Sequence, residues 1–318
     1  MPQETCQMTN SHKRQHWVPR SYLKAWVNPQ TPHQVHIFDK AGGNSRKRAP
    51  KSIFTETDLY TIQAPNDSRD LKLENGLAEV ESLFSRLRKD FLQQRRPLPS
   101  LQYGYLLIFI ASLHVRTPVM RDHHGKFWKE VLDSCEELET RMKTATIEEI
   151  KRAISPRRSG SDNKNSMSMD QVRQIAENTM QEMLVPFIAA EARCLAFLKA
   201  SVLCTDSEPG FITSDKPVNW FNPEAYKNHP FWRSPSFSDP KLEITMPISP
   251  NQLILLTHGE YGLNYFDVSD KCVLEANTCQ RFNCDKNFVV NKDFLDPRWF
   301  DRGEKPEDSW EKLNEKNK

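Results

Sequence analysis

The apolar pattern predicts an α+β protein, a central helical bundle flanked by a short N-terminal hairpin and a C-terminal mixed or antiparallel sheet. Three observations carry this. Between residues 71 and 203 apolar residues recur at three- and four-residue spacing. On both sides lie short apolar runs bounded by Gly, Pro, Asn and Asp, which read as strands and turns. The two patterns are segregated along the chain, whereas an α/β sheet would alternate them.

Each element follows in order. Gln15-His16-Trp17-Val18-Pro19 leads into a short apolar-patterned helix over 20–26. Val35-His36-Ile37-Phe38 reads as a strand, followed by a basic turn with Gly42, Gly43 and Arg46-Lys47-Arg48. Asp58 to Ile62 then reads as the second strand of a hairpin. Leu73, Leu77, Val80, Leu83, Phe84 and Leu87 mark an amphipathic helix over 71–94. Arg95-Arg96-Pro97 breaks it, and Ser100 caps a helix over 101–116 that is apolar nearly all round. Pro118 kinks or ends that helix. Further helices are expected over 122–143 and 147–154, then from 169 onward, with Pro186 dividing the last into a second helix that reaches 202. The polar stretch 155–168 reads as a mobile loop. Strands follow at 210–215, 242–248, 252–256 and 287–290, with a short helix over 274–281.

The predicted organisation is a flexible N-terminus (1–14), one α+β domain (15–302) with its helical centre at 71–203 and its β-rich part at 207–300, and a disordered tail (303–318). No apolar leader precedes Gln15, and the most apolar stretch, 103–113, is too short to span a bilayer. A cytoplasmic protein with no membrane association is expected. The seven cysteines form no Cys-x-x-Cys pair, and Cys272, Cys279 and Cys284 lack zinc-site spacing, so reduced thiols are expected. With 44 Lys and Arg against 42 Asp and Glu, the net charge of +2 excludes a protein that coats duplex DNA. The charge is unevenly spread: bases collect at 46–48, 86–96 and 151–158, and acids at 130–149. A phosphate-bearing substrate therefore stays compatible with the sequence.

Four constellations could carry chemistry. His16, just ahead of a helix, serves either as a cap or as a base, acid or metal ligand. Glu74 and Glu81 share one helix face two turns apart. They are either solvated and paired with Arg86 and Arg88, or functional, and a His beside carboxylates admits a divalent metal. Arg116 and Arg121, at the end of the most apolar helix, reach either buried carboxylates or a substrate phosphate. Arg116 stands seven residues before His123, the wide form of a spacing found in some helical ribonucleases, but Pro118 interrupts the helix that spacing needs. Ser214 and Asp215, in the Phe211-Ile212-Thr213-Ser214-Asp215-Lys216-Pro217-Val218 segment, either cap a loop or present a hydroxyl and a carboxylate to a cleft. The 246–250 segment reads as a matching strand end. No Gly-x-Ser-x-Gly, P-loop or His-Glu-x-x-His motif occurs.

These residues together resemble the bacterial domain-of-unknown-function family numbered 4238. The resemblance rests on Gln15-His16-x-x-Pro19-x-x-Tyr22-Leu23, Asp58-x-Tyr60-Thr61, Leu73-Glu74 with Glu81, and Arg116-Thr117-Pro118. It continues through Ile212-Thr213-Ser214-Asp215-x-Pro217-Val218, Pro247-x-Ser249-Pro250 and Asn277, over roughly 15–291. Trp17 and Ile248 depart mildly from the pattern, where Tyr and Leu are usual. The resemblance implies a bacterial context, often on mobile elements, with some relatives associated with defence against phage. The expectation is a defence or toxin-like enzyme, a nuclease or other phosphodiester hydrolase. His16, Glu81 and Asp215 would be catalytic; Arg116, Arg121, Ser214 and Tyr22 would bind substrate; RNA or DNA would be the partner. The alternative is a non-catalytic sensor or binding module in which the polar motifs hold the hairpin to the bundle.

Overall fold

A computed structural model describes residues 14–63, 69–149, 167–259 and 263–301, together with 303, 306, 307 and 309–316. The α+β class is observed. Strands β1 (Arg14–His16), β2 (Val35–Asp39), β3 (Gly42–Arg48), β4 (Thr55–Thr57), β5 (Ile62–Gln63) and β6 (Arg69–Asp70) surround helix α1 (Arg20–Leu23) at the N-terminal end. Helices α2 (Lys72–Leu87), α3 (Ser100–Val115), α4 (Pro118–Thr144), α5 (Met169–Glu177) and α6 (Thr179–Leu195) form the centre. The C-terminal part carries β7 (Lys199–Cys204), β8 (Thr213–Ser214), β9 (Asn219–Phe221), β10 (Glu243–Ser249), β11 (Gln252–Thr257), β12 (Asn264–Asp267), helix α7 (Asp270–Asn283), β13 (Asn287–Val290) and helix α8 (Trp310–Lys316). Among the described residues no helix is long and apolar enough to cross a membrane.

The N-terminal hairpin is not a separate flank. Its strands are β2 and β3, so the basic run is itself an edge strand, and β2 continues through β13 to β8 in a four-stranded sheet ordered β3-β2-β13-β8. Asp58, expected to open the second strand, has φ 55° and starts a turn. The second sheet has the order β12-β7-β11-β10-β9 and is antiparallel except where β12 runs parallel to β7. Pro247 is tolerated inside β10 because β9 pairs only with residues 243–245 of that strand, so the missing N–H interrupts no ladder there.

Three helix expectations change. Pro118 begins α4 at its first turn, with Thr117 as the cap accepting from Met120 N at 3.4 Å. Pro186 lies inside α6, which packs along α3, and the break falls instead at Asn178 (φ −126°, ψ 44°). Residues 199–202, read as the end of the helix after Pro186, belong to β7 because β11 and β12 pair with it on both sides. The tail expected to be disordered contains α8, where Glu311 meets Arg233 at 2.7 Å. The 155–166 stretch and residues 1–13 lie outside the described residues.

The largest core cluster joins α1, α2, α3 and the five-stranded sheet through residues such as Trp26, Phe84, Phe109, Ile110 and Ile244. Phe84 and Phe109 stack at 3.7 Å between ring centroids, tilted by 3°. Burying each such ring contributes about 2–3 kcal/mol. Two polar tips in this core fasten the N-terminal segment to both sheets. Trp26 Nε1 donates to Phe211 O at 2.8 Å. The Tyr22 hydroxyl donates to Pro247 O and meets Thr213 Oγ1 at 2.9 Å.

Candidate functional site at Arg116

Strand alternation in β1, which pairs antiparallel with β4, sends Gln15 into the interior and leaves His16 half-buried. Gln15 fixes the facing turn with both ends of its amide: Nε2 donates to Thr61 Oγ1 at 3.0 Å, and Oε1 accepts from Tyr60 N at 2.5 Å. Tyr60 closes the loop with a hydroxyl bond to His16 O at 3.4 Å. Helix α3 is buried along most of its length and delivers Arg116 at its C-terminal cap, just before the Thr117-Pro118 corner.

Arg116 has no exposed surface. Its Nη1 donates to Glu81 Oε1 at 2.9 Å, while its Nε and Nη2 are buried without a hydrogen-bond partner. An unpaired buried donor costs about 1–3 kcal/mol, so two on one guanidinium call for an explanation. His16 Nε2, also buried and unpartnered, lies within the field of the same guanidinium. Burial lowers the pKa of His16; backbone groups of Pro50 and Lys51 oppose that, and the Arg116 charge reinforces it. Glu74 shifts the other way: burial raises its pKa, the Glu81 charge adds to this, and Arg116 opposes it. Burial likewise raises the Tyr60 phenol, with Arg116 pulling it back. One buried cation thus sits among an imidazole kept neutral at pH 7 and a carboxyl displaced toward its protonated form.

The other expected site residues do not join this network. The Asp215 carboxylate accepts from the backbone N–H of Asp285, Lys286 and Asn287 at 2.9, 2.7 and 2.8 Å. It anchors the start of β13, with burial raising its pKa and those three donors lowering it. Ser214 Oγ accepts from Lys216 N at 3.0 Å and from Gln280 Nε2 at 2.6 Å, as part of a buried amide network that reaches Asn219. Tyr22 is the two-sheet fastener already described. Arg121 lies outside the Arg116 network and holds Glu56 at 2.7 Å and Asp122 at 2.9 Å. Among the described residues no group of three His, Cys, Asp or Glu side chains is arranged to hold a metal ion.

A pocket of about 440 Å³ is lined by Asp215 and by none of His16, Glu74, Glu81 or Arg116. Trp17 and Thr117, the chain neighbours of His16 and Arg116, line it together with Phe54, Arg121, Lys216 and Lys286. Trp17 and Phe54 lie 5.9 Å apart between centroids, and Trp17 Nε1 donates to Asp215 O at 3.1 Å. Sequence reasoning quoted Gln15 and Tyr60 within motifs but assigned them no role. It missed Gln280 altogether, although a polar residue recurring with Asn277 on α7 is a readable signal. Asn277 fixes the approach to β8, accepting from Ile212 N at 3.0 Å and donating to Gly210 O at 2.8 Å.

The family model described as "Protein of unknown function (DUF4238)" matches residues 14–294, and the chain belongs to that family. No curated protein and no solved structure shows significant similarity to the chain.

Proposed function

We propose that the chain is a phosphodiester-cleaving enzyme, a nuclease acting in the cytoplasm in a bacterial defence setting, with its reaction centre at His16, Glu74, Glu81 and Arg116. The observation that carries this reading is the wholly buried Arg116 with two unused donors beside a neutral His16. Two parallel N–H groups match the non-bridging oxygens of a phosphoryl group. A neutral imidazole takes the proton of the attacking hydroxyl and, once protonated, gives it back to the leaving oxygen, while Glu74, whose pKa burial and the Glu81 charge push up, is the carboxyl assigned to support that transfer. Glu81 orients Arg116 through the 2.9 Å ion pair. The pocket lined by Trp17 offers the ring of Trp17 or Phe54 to a base, and Arg121, Lys216 and Lys286 to flanking phosphates. Asp215 is given an anchoring role in this reading, since three backbone N–H groups hold its carboxylate.

A second reading is favoured by the same ion pair together with the Gln15, Tyr60 and Thr61 bonds, which would make the network a clamp in a binding module. Incubating the purified protein with total RNA and with plasmid DNA, with and without added divalent metal, separates the two. The enzyme reading expects cleavage that drops about a hundredfold or more in His16→Asn with the melting temperature held. Absence of cleavage of both substrates, or a His16→Asn variant that only melts earlier, supports the clamp.

A further inference from the structure

A cleft of about 880 Å³ is lined by none of the residues of the Arg116 network and has no part in the reaction proposed above. Its size falls within the range of roughly 300–1,000 Å³ typical of small-molecule sites. Residues 24–30, the end of the 88–95 helical segment and the 204–208 and 249–252 turns form its walls.

Two features give the cleft its chemistry. The first is cationic. Arg88 donates from Nη1 to Tyr22 O and Ile248 O at 3.2 and 3.3 Å, and from Nη2 to Ser21 O at 3.1 Å. Among the described residues it meets no carboxylate, and its Nε–H and second Nη2–H are left for a ligand. Lys24, exposed on the same wall, also has no carboxylate partner among the described residues. The remaining charges are largely matched: Arg95 holds Asp267 at 2.6 Å, and Glu208 holds Lys292 at 2.5 Å. Asp206 stands exposed on the rim without an ion pair among the described residues.

The second feature is an orphaned acceptor. Gln252 is 6 % exposed, and its Nε2 donates to Leu92 O at 2.7 Å. That bond identifies the other end of the amide as oxygen, yet Oε1 is buried and unpartnered at the cleft. Asn291 Oδ1 is a second unpartnered atom in the same lining. Buried acceptors left open in this way await a donor.

We propose that this cleft binds a free mononucleotide-sized phosphate ester carrying an exocyclic amino group, with phosphate on Arg88 and Lys24 and the amine on Gln252 Oε1. Val27, Pro29 and Pro250 supply apolar surface for the face of a base. The assignment is independent of the reaction at Arg116.

Calorimetric titration of the full chain with AMP, IMP and inorganic phosphate tests it. AMP should bind, and IMP, which presents an oxygen where AMP has an amine, should bind about tenfold more weakly. Phosphate should compete with AMP. Lys24→Glu should weaken AMP binding and Asp206→Asn should strengthen it, each by about threefold or more, since both residues are exposed and neither supports the fold. His16→Asn should leave the affinity unchanged. The assignment is overturned if none of the three probes binds at millimolar concentration, or if AMP and IMP bind equally. Failure of the two charge variants to act in opposite directions overturns it as well. Loss of AMP binding in His16→Asn would instead move the ligand to the Arg116 network.

Discussion

Arg116 and Glu81 share an ion pair at 2.9 Å in which the arginine is wholly buried and the glutamate side chain keeps 23 % of its surface exposed. The asymmetry gives a direction to mutagenesis. Glu81→Ala strands a buried charge and should cost about 2–4 kcal/mol, whereas Arg116→Leu removes the charge and should cost less. Urea denaturation with unchanged m-values measures both, and the reverse ranking would refute the assignment.

His16 sets a pH dependence. Its folded pKa lies below the ordinary 6.5, so the unfolded chain binds the proton more readily. The contribution is complete above pH 6.5 and is lost as pH falls through that value toward the folded pKa. Burial also lowers the pKa of His36 and His124, which therefore act in the same direction. The three histidines should lower stability as pH falls from 7 to 5, opposed by Glu74, Glu191, Asp215 and Glu243, whose carboxyl pKa values burial raises, and His16→Asn should remove the His16 share of that loss. An unchanged slope in that variant would show that His16 does not titrate in this window.

Tyr22 distinguishes a structural from a substrate-binding role. Its hydroxyl is buried between Pro247 O and Thr213 Oγ1. Tyr22→Phe should cost about 1–2 kcal/mol in stability and leave substrate affinity alone. A raised KM with an unchanged melting temperature would restore Tyr22 to the binding site.

Gly210 has φ +72°, and a Cβ there would fall 2.1 Å from Pro250 O. The same carbonyl accepts from Phe211 N at 2.7 Å, so it cannot retreat without breaking that bond. Gly210→Ala should destabilise by about 3 kcal/mol or more, read as a lower thermal midpoint. A variant as stable as the parent would show that the turn relaxes freely.

Elements whose pattern is set locally were legible. The continuous apolar run read as 101–116 is Ser100–Val115, and the strand at 287–290 is found where expected. Elements imposed by partners were not. β3 is built from Gly-Gly-Asn-Ser-Arg-Lys-Arg, which has no strand-forming residue, and pairing with β2 alone makes it a strand. Its charges suit a sheet edge, where they discourage pairing with other chains. The site divides in the same way. His16, Glu81 and Arg116 could be named because reactive groups at element ends are visible in one dimension. A buried carboxylate partner for Arg116, Glu74 or Glu81, is one of the readings the sequence allows, but the choice of Glu81 is not legible, because it lies 35 positions away. Nothing in a Ser-Asp-x-Pro string reveals that the partners of Asp215 are three backbone N–H groups some 70 residues downstream.

The pairing of β2 with β13 aligns Val290 with His36. During synthesis, then, the N-terminal strands emerge long before the segment that completes their sheet. The sheet closes only after Val290 has left the ribosome, and the high separation of its contacts makes that closure slow. For a protein proposed to cut nucleic acid, the consequence is protective. A nascent chain stopped short of Asn287 lacks the backbone that Asp215 grips and the residues that finish the pocket beside Trp17. Truncated products would reach the cell without a completed substrate pocket.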